Sequence, residues 1–245
     1  MASASVAGVA GIGALVHVGP GLPGLYPVGM HVVPSLHGRG RHGHVALTFD
    51  DGPDPDSTPA FLTELNRLGW TATFFMLGSL ARRSPSLAAE VAAAGHEIAV
   101  HGDEHRNMMR RTPWAAAADI RRARDTLAEL TGASPAFFRP PFGTLAFGAL
   151  RGARCAGLRT VLWTNWGRDW RSDATADSVA DEIMRRKVDG GTVLLHDSDC
   201  QSDSESWRSA LGALPLLAER LAALDLEVGP LRDHGLRGAP VTAGV

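Results

Sequence analysis

The stretch "VALTFDDGPDPDSTP", residues 45–59, runs an apolar segment into two adjacent aspartates and then at once into Gly52, Pro53 and Pro55. A short apolar run closed by glycine and proline reads as a buried strand that ends in a sharp turn. Neighbouring carboxylates repel one another, so a chain that ends a buried strand on Asp50 and Asp51 must hold them with something positive.

The same alternation repeats downstream. Strands are expected at "HVALTF" (44–49), "TATFFM" (71–76), "HEIAV" (96–100), "AFFR" (136–139), "TVLW" (160–163), "TVLL" (192–195) and "LEV" (226–228). Helical patterns fall between them, at about 57–68, 85–94, 113–131, 146–156, 177–187 and 205–223. Ser57 and Thr112 stand at helix starts as N-caps, the latter before Pro113 at the first helical position. Seven strands separated by helices argue a parallel sheet with helices outside, as a barrel or a doubly wound sheet, and the periodicity does not choose between them.

A chain of 245 residues, 44% apolar, suits a single α/β core. Its net charge of −2, without a long basic block, leaves no electrostatic footprint for nucleic acid. A neutral partner or a small polar substrate fits better, and no obligate protein partner is indicated. Cys155 and Cys200 are isolated, so neither a zinc knuckle nor a disulfide scaffold is indicated; Cys155 is expected as a small buried residue and Cys200 in a loop. Residues 1–43 differ from the rest, with no charged side chain before Arg39 and no basic start, and their uninterrupted apolar part is residues 6–18. That is shorter than the about 18 to 20 residues of a membrane helix. We read residues 1–43 as a non-catalytic apolar extension that leaves room for membrane contact, residues 44–232 as the domain and residues 233–245 as a tail. His37, His42 and His44 are expected as solvated loop residues, with a weak metal-binding tract as the alternative.

In parallel α/β folds, chemistry sits at the carboxyl ends of the strands. Read in order, those ends are Asp50 and Asp51, "HGDEH" at 101–105, "RPPFG" at 139–143, "NWGRDW" at 165–170 and "HDS" at 196–198. Taken singly they have ordinary explanations: a DD pair before glycine and proline suits a turn, and Arg139 suits a solvated strand end. Their convergence carries the reading. Two histidines four apart can face the same way on one helical turn, and a carboxylate from another strand end completes a His₂Asp set with open positions. A divalent cation would neutralise one aspartate, and Arg139 can hold the other.

In this order, "TFDDGPD", "HGDEH", "RPPFG", "RDW" and "LLHDS" resemble the five motifs of the polysaccharide deacetylases, the NodB-homology or family-four carbohydrate esterases. The resemblance covers about residues 44–230. It implies a distorted (β/α) barrel and metal-dependent removal of the N-acetyl group of a GlcNAc-type sugar. It also implies one divalent ion, zinc first with cobalt or manganese as alternatives, and action at or outside the cell envelope. Asp51, His101 and His105 resemble the metal ligands, and Asp50 the general base toward a metal-activated water. Arg139 resembles the residue that orients the base, and the backbone N–H near Phe142 the oxyanion donor. His196 resembles the general acid, with Asp169 as its orienting carboxylate, while Leu194 and Trp170 resemble the walls around the acetyl methyl.

Three positions depart from the family pattern. Gly102 replaces the common serine or threonine, so a hydrogen bond that steadies the histidine loop is in doubt. Phe142 replaces a frequent tyrosine, and Trp166 stands where an aspartate is common. Core packing is expected for Trp163, and a rim that stacks on sugar rings for Trp166 and Trp170. Two alternatives remain: a hydrolase of another C–N bond or of O-acetyl esters on the same machinery, and a non-catalytic carbohydrate-binding member.

Overall fold

In the computed structural model of the protein, which describes residues 35–236, the opening stretch forms a strand buried along its whole length, β1 (His44–Asp50). Beyond β1, helices and strands alternate: α1 (Thr58–Leu68), β2 (Thr73–Met76), α2 (Gly78–Arg83), α3 (Pro85–Ala93), β3 (Glu97–Val100), α4 (Pro113–Thr131), β4 (Phe137–Phe138), α5 (Phe147–Cys155) and β5 (Arg159–Thr160). Then come β6 (Asn165–Trp166), α6 (Ala176–Met184), β7 (Thr192–His196), α7 (Trp207–Ala222) and β8 (Glu227–Gly229). The expectations placed on residues 1–34 and 237–245 lie outside the described residues.

Every strand pairing is parallel, in the order β5-β4-β3-β2-β1-β7-β6, with β8 beside β1. Ala46 pairs with Thr192 of β7 and also with Gly229, so β8 lies on the β2 side of β1, at its start. The two edge strands β5 and β6 are separated in sequence only by residues 161–164. From Thr160 to Asn165 the chain spans at most roughly 18 Å even when fully extended. The sheet must therefore curl until its edges nearly meet, which gives the distorted barrel and excludes the doubly wound sheet. Within the linking segment, the Leu162 N–H donates to the Leu36 carbonyl at 2.7 Å and the Thr164 N–H to the Thr192 carbonyl of β7 at 3.0 Å.

The strands are apolar on both faces because both faces are covered. Leu47, Phe49 and Phe74 pack outward under the helices, with ring centroids of Phe49 5.1 Å from those of Phe61 and Phe74. Ala46, Phe75, Ala99 and Val161 form a smaller inner cluster with Leu231. Each fully buried phenylalanine contributes roughly 1.5–3 kcal/mol.

Several expectations are corrected. "TVLW" is not one strand: Thr160 ends β5, and β6 begins at Asn165 on the opposite edge. Thr112 caps α4 by accepting from the Ala115 N–H at 3.2 Å, whereas Ser57 holds the N-cap position of α1 without a side-chain cap bond, its hydroxyl donating instead to the Asp197 carbonyl at 2.5 Å. Cys155 is exposed, as is Cys200, and both are free thiols. His42 is exposed beside Asp189, but His37 and His44 are buried. His44 Nδ1 lies 2.8 Å from His234 Nδ1, and His234 Nε2 lies 3.0 Å from the Gly38 carbonyl. A carbonyl only accepts, so His234 carries its proton on Nε2, and its Nδ1 accepts from the His44 Nδ1–H.

The foot of the barrel is closed by the C-terminal segment. The Leu231 N–H donates to Thr73 Oγ1 at 2.9 Å and the Arg232 N–H to Glu97 Oε2 at 3.1 Å. Residues on both sides of the expected 44–232 domain, including Gly40 and His234, are thus packed onto it. Among the described residues, no helix is long and apolar enough to cross a membrane.

Candidate active site

Side chains alternate along a strand, so two consecutive residues should point to opposite faces. Asp50 ends β1, and Asp51 has φ 81°, a left-handed conformation that costs roughly 1–3 kcal/mol away from glycine. That turn breaks the alternation, and both carboxylates line one cleft.

Arg139 is fully buried beneath them. Its Nη1 donates to Asp50 Oδ1 at 2.7 Å and to Thr48 Oγ1 at 2.8 Å, and its Nη2 to the Leu162 carbonyl at 2.8 Å. The guanidinium also lies 4.1 Å over the Phe75 ring. A buried cation is tolerable when paired and hydrogen-bonded in this way. Arg139 is the positive group that Asp50 requires.

Asp51 has a different neighbourhood. Its Oδ1 is buried without a hydrogen-bond partner, and it lies 3.3 Å from Nε2 of both His101 and His105. His101 Nδ1 sits 2.9 Å from the Arg139 carbonyl, so in the neutral ring Nδ1 carries the proton and Nε2 presents its lone pair to Asp51. Burial, reinforced by the charge of His101, pushes His105 down to about 4, so its imidazole is neutral at pH 7. Burial alone would raise the Asp51 carboxyl, but the imidazoles that face it, His101 first and then His196 and His105, outweigh it and bring it to about 2. Three electron-pair donors within 4.8 Å of one another, with an orphaned carboxylate oxygen among them, fit a divalent cation. The two histidines do not share a helical turn. Residues 101–107 form a loop in which Gly102 has φ 105°.

On the opposite wall, the His196 N–H donates to Asp169 Oδ2 at 2.7 Å, and His196 Nδ1 lies 3.1 Å from Asp169 Oδ1. Burial pulls the His196 imidazole down, but the Asp169 carboxylate, helped by Asp51 and Asp50, raises it to about 10. Trp170 meets the His196 ring edge-on, with centroids 5.6 Å apart. Phe142, at φ 58° and 56% exposed, brings its backbone to the rim and its ring 4.3 Å from His105. With Leu194, these groups enclose a cleft of about 320 Å³.

Of the eleven residues singled out in the sequence, Arg139 and Asp169 lie directly behind the cleft, and Trp166 does not line it: its ring meets the Arg186 guanidinium at 4.4 Å. Trp163, expected in the core, lines the cleft, as do Gln201 and Ser202. Thr48 is not among the eleven, although its place two residues before Asp50 puts it on the same face of β1.

The family described as polysaccharide deacetylase matches residues 37–161. A peptidoglycan-N-acetylglucosamine deacetylase of Bacillus cereus is 32% identical over 162 residues, which are 66% of this chain and 58% of that protein, so the chain spans less than two thirds of that relative. A chitooligosaccharide deacetylase of Azorhizobium caulinodans is 31% identical over 198 residues, 80% of this chain and 92% of that protein. Among solved structures, the family 4 carbohydrate esterase from Streptomyces lividans in complex with acetate superposes with a TM-score of 0.69 at 30% identity, covering 81% of this chain and 98% of that one.

Proposed function

Because the chain belongs to the polysaccharide deacetylase family, we propose that it hydrolyses the N-acetyl group of GlcNAc-type sugars in a polysaccharide or oligosaccharide. The observation that carries this reading is the meeting of three devices in one cleft: the Asp50–Arg139 pair, the Asp51, His101 and His105 set, and the His196–Asp169 pair.

Asp51, His101 and His105 would hold the divalent ion. When bound, such an ion supplies Lewis acidity that polarises a carbonyl and brings the pKa of water from 15.7 toward about 7. Asp50, oriented by Arg139, takes the proton of the attacking water as its oxygen bonds to the acetyl carbon. The Phe142 N–H donates to the oxygen on which charge develops. His196, held protonated by Asp169, gives its proton to the nitrogen as the C–N bond breaks, so acetate and a free amine leave. Trp170 and Leu194 wall the space for the acetyl methyl.

Acetate release measured over chitooligosaccharides, peptidoglycan, acetylxylan and small amides tests the proposal. Release from the first two is expected. Release confined to acetylxylan or to small amides would replace it with the O-acetyl or other C–N reading, and tight carbohydrate binding without release would make the protein a lectin-like member. A polymeric acetylated substrate places the protein at the envelope; recovery wholly in the cytosol of the native host would argue for a small substrate instead.

A further inference from the structure

Between the two imidazoles of the histidine loop sits Asp103, a residue that the proposed chemistry does not use. Its carboxylate is 5% exposed, does not line the cleft and reaches instead between two helices. Arg82 of α2 grips it with both nitrogens, Nη1 to Oδ1 at 2.7 Å and Nη2 to Oδ2 at 3.1 Å. Arg122 of α4 adds Nε to Oδ2 at 2.7 Å. The Asp103 N–H donates to Asp119 Oδ2 of α4 at 2.9 Å, and Asp119, itself fully buried, takes Arg111 Nη1 on its other oxygen at 2.7 Å. The carbonyls of Gly102 and Asp103 accept from the N–H groups of Gly78 and Ser79 in the first turn of α2, at 3.0 and 2.9 Å.

Gly102 makes this possible. At φ 105° few other residues sit comfortably, and a Cβ there would come within 3.1 Å of Asp119 Oδ2.

The two imidazoles depend on this grip unequally. His101 is fixed twice, by its N–H on the Met76 carbonyl at 2.9 Å and by its Nδ1 on the Arg139 carbonyl. His105 Nδ1 is buried with no hydrogen-bond partner among the described residues. The ring of His105 is therefore aimed by the loop backbone and by its packing on Phe142.

We infer that Asp103, clamped by Arg82, Arg122 and Asp119, is a positioning residue that aims His105 at the metal site. This rests on the metal-dependent reading of the cleft. Groups hydrogen-bonded directly to metal ligands are typically worth about 10- to 100-fold in affinity; Asp103 acts one step further back, through the loop backbone, so a loss at the lower end, about 10-fold, is expected for Asp103→Asn. The measurement is zinc affinity of the full chain by competition with a chromogenic chelator, with circular dichroism to confirm folding. The same substitution is then made in a His105→Ala background. If Asp103 acts through His105, its effect there falls below about 2-fold; an equal loss with and without His105 would show a merely structural role and overturn the inference. Unchanged affinity in a folded Asp103→Asn single variant would also overturn it. Should Asp103→Asn not fold, Arg122→Gln, at a half-exposed side chain, is put through the same cycle with the same expected and overturning results. A wild-type chain that binds no zinc sinks the metal reading and the clamp together, whereas binding that is indifferent to Asp103 sinks the clamp alone.

Discussion

Asp50 and Asp51 are neighbours in sequence and unlike in surroundings: one faces Arg139, the other two imidazoles. Asp51→Asn removes a charged donor from the cation site, so zinc affinity and turnover should fall together and added zinc should restore part of the rate. Asp50→Asn should keep the ion while turnover falls by about 10² to 10⁴, the range of general base catalysis. Metal analysis beside acetate release separates the two, and equal metal loss in both variants would make both ligands. A second prediction concerns His196, whose acid form survives to about pH 10 chiefly because Asp169 offsets its burial. Asp169→Asn removes that charge, so the His196 pKa falls and its proton is lost at lower pH. The alkaline limb of the kcat/KM profile should move to lower pH; an unmoved limb would take Asp169 out of this role. These residues are legible because each sits at a strand end, where a short motif survives. Trp163 is not, because an indole next to an apolar run reads as core whether it faces helix or cleft.

At the level of elements, legibility follows length. The 19 residues of α4 carry a cap, a proline at the first position and a sustained apolar stripe, and its bounds of 113–131 match the expectation. β6 has two residues and α2 has six, too few to show a period, and neither is legible in the sequence. The strand expected at 160–163 fails for a related reason: a run of four residues cannot reveal that the chain is crossing a seam. The cap on α4 gives a prediction at this scale. Thr112→Ala should lower stability by about 1 kcal/mol in a urea titration, since it leaves the Ala115 N–H without its side-chain acceptor. A loss of less than a few tenths would mean that water replaces the hydroxyl.

Over the whole molecule, the buried His44–His234 pair joins the start of β1 to the C-terminal segment. Burial pushes His234 down to about 4, with the charge of His44 adding to it; His44 is lowered by burial and by Arg41, against the pull of Glu227 and Asp233. Both rings bind protons more readily once unfolded, near pH 6.5, so the native state loses stability as pH falls from about 6.5 toward 4. His234→Gln should be less stable than wild type at pH 7 and lose less on acidification, read as denaturation midpoints across that window; parallel profiles would remove the pair from the account. Neither partner can be paired from the sequence, since they stand 190 residues apart and each alone resembles a solvated loop histidine.

The same closed foot sets an orientation. Leu231, Arg232 and His234 are tied under the starts of β2 and β3 and to Gly38, while the cleft opens at the other ends of the strands. A bead or sensor surface coupled to that foot, at the exposed Asp233, would therefore carry the barrel upright, mouth outward. Enzyme fixed in that way should retain its rate on long glycan chains, whereas enzyme fixed through Gln201→Cys in a Cys155→Ser background, at an exposed position on the rim, should turn its mouth to the support and lose long chains before short ones.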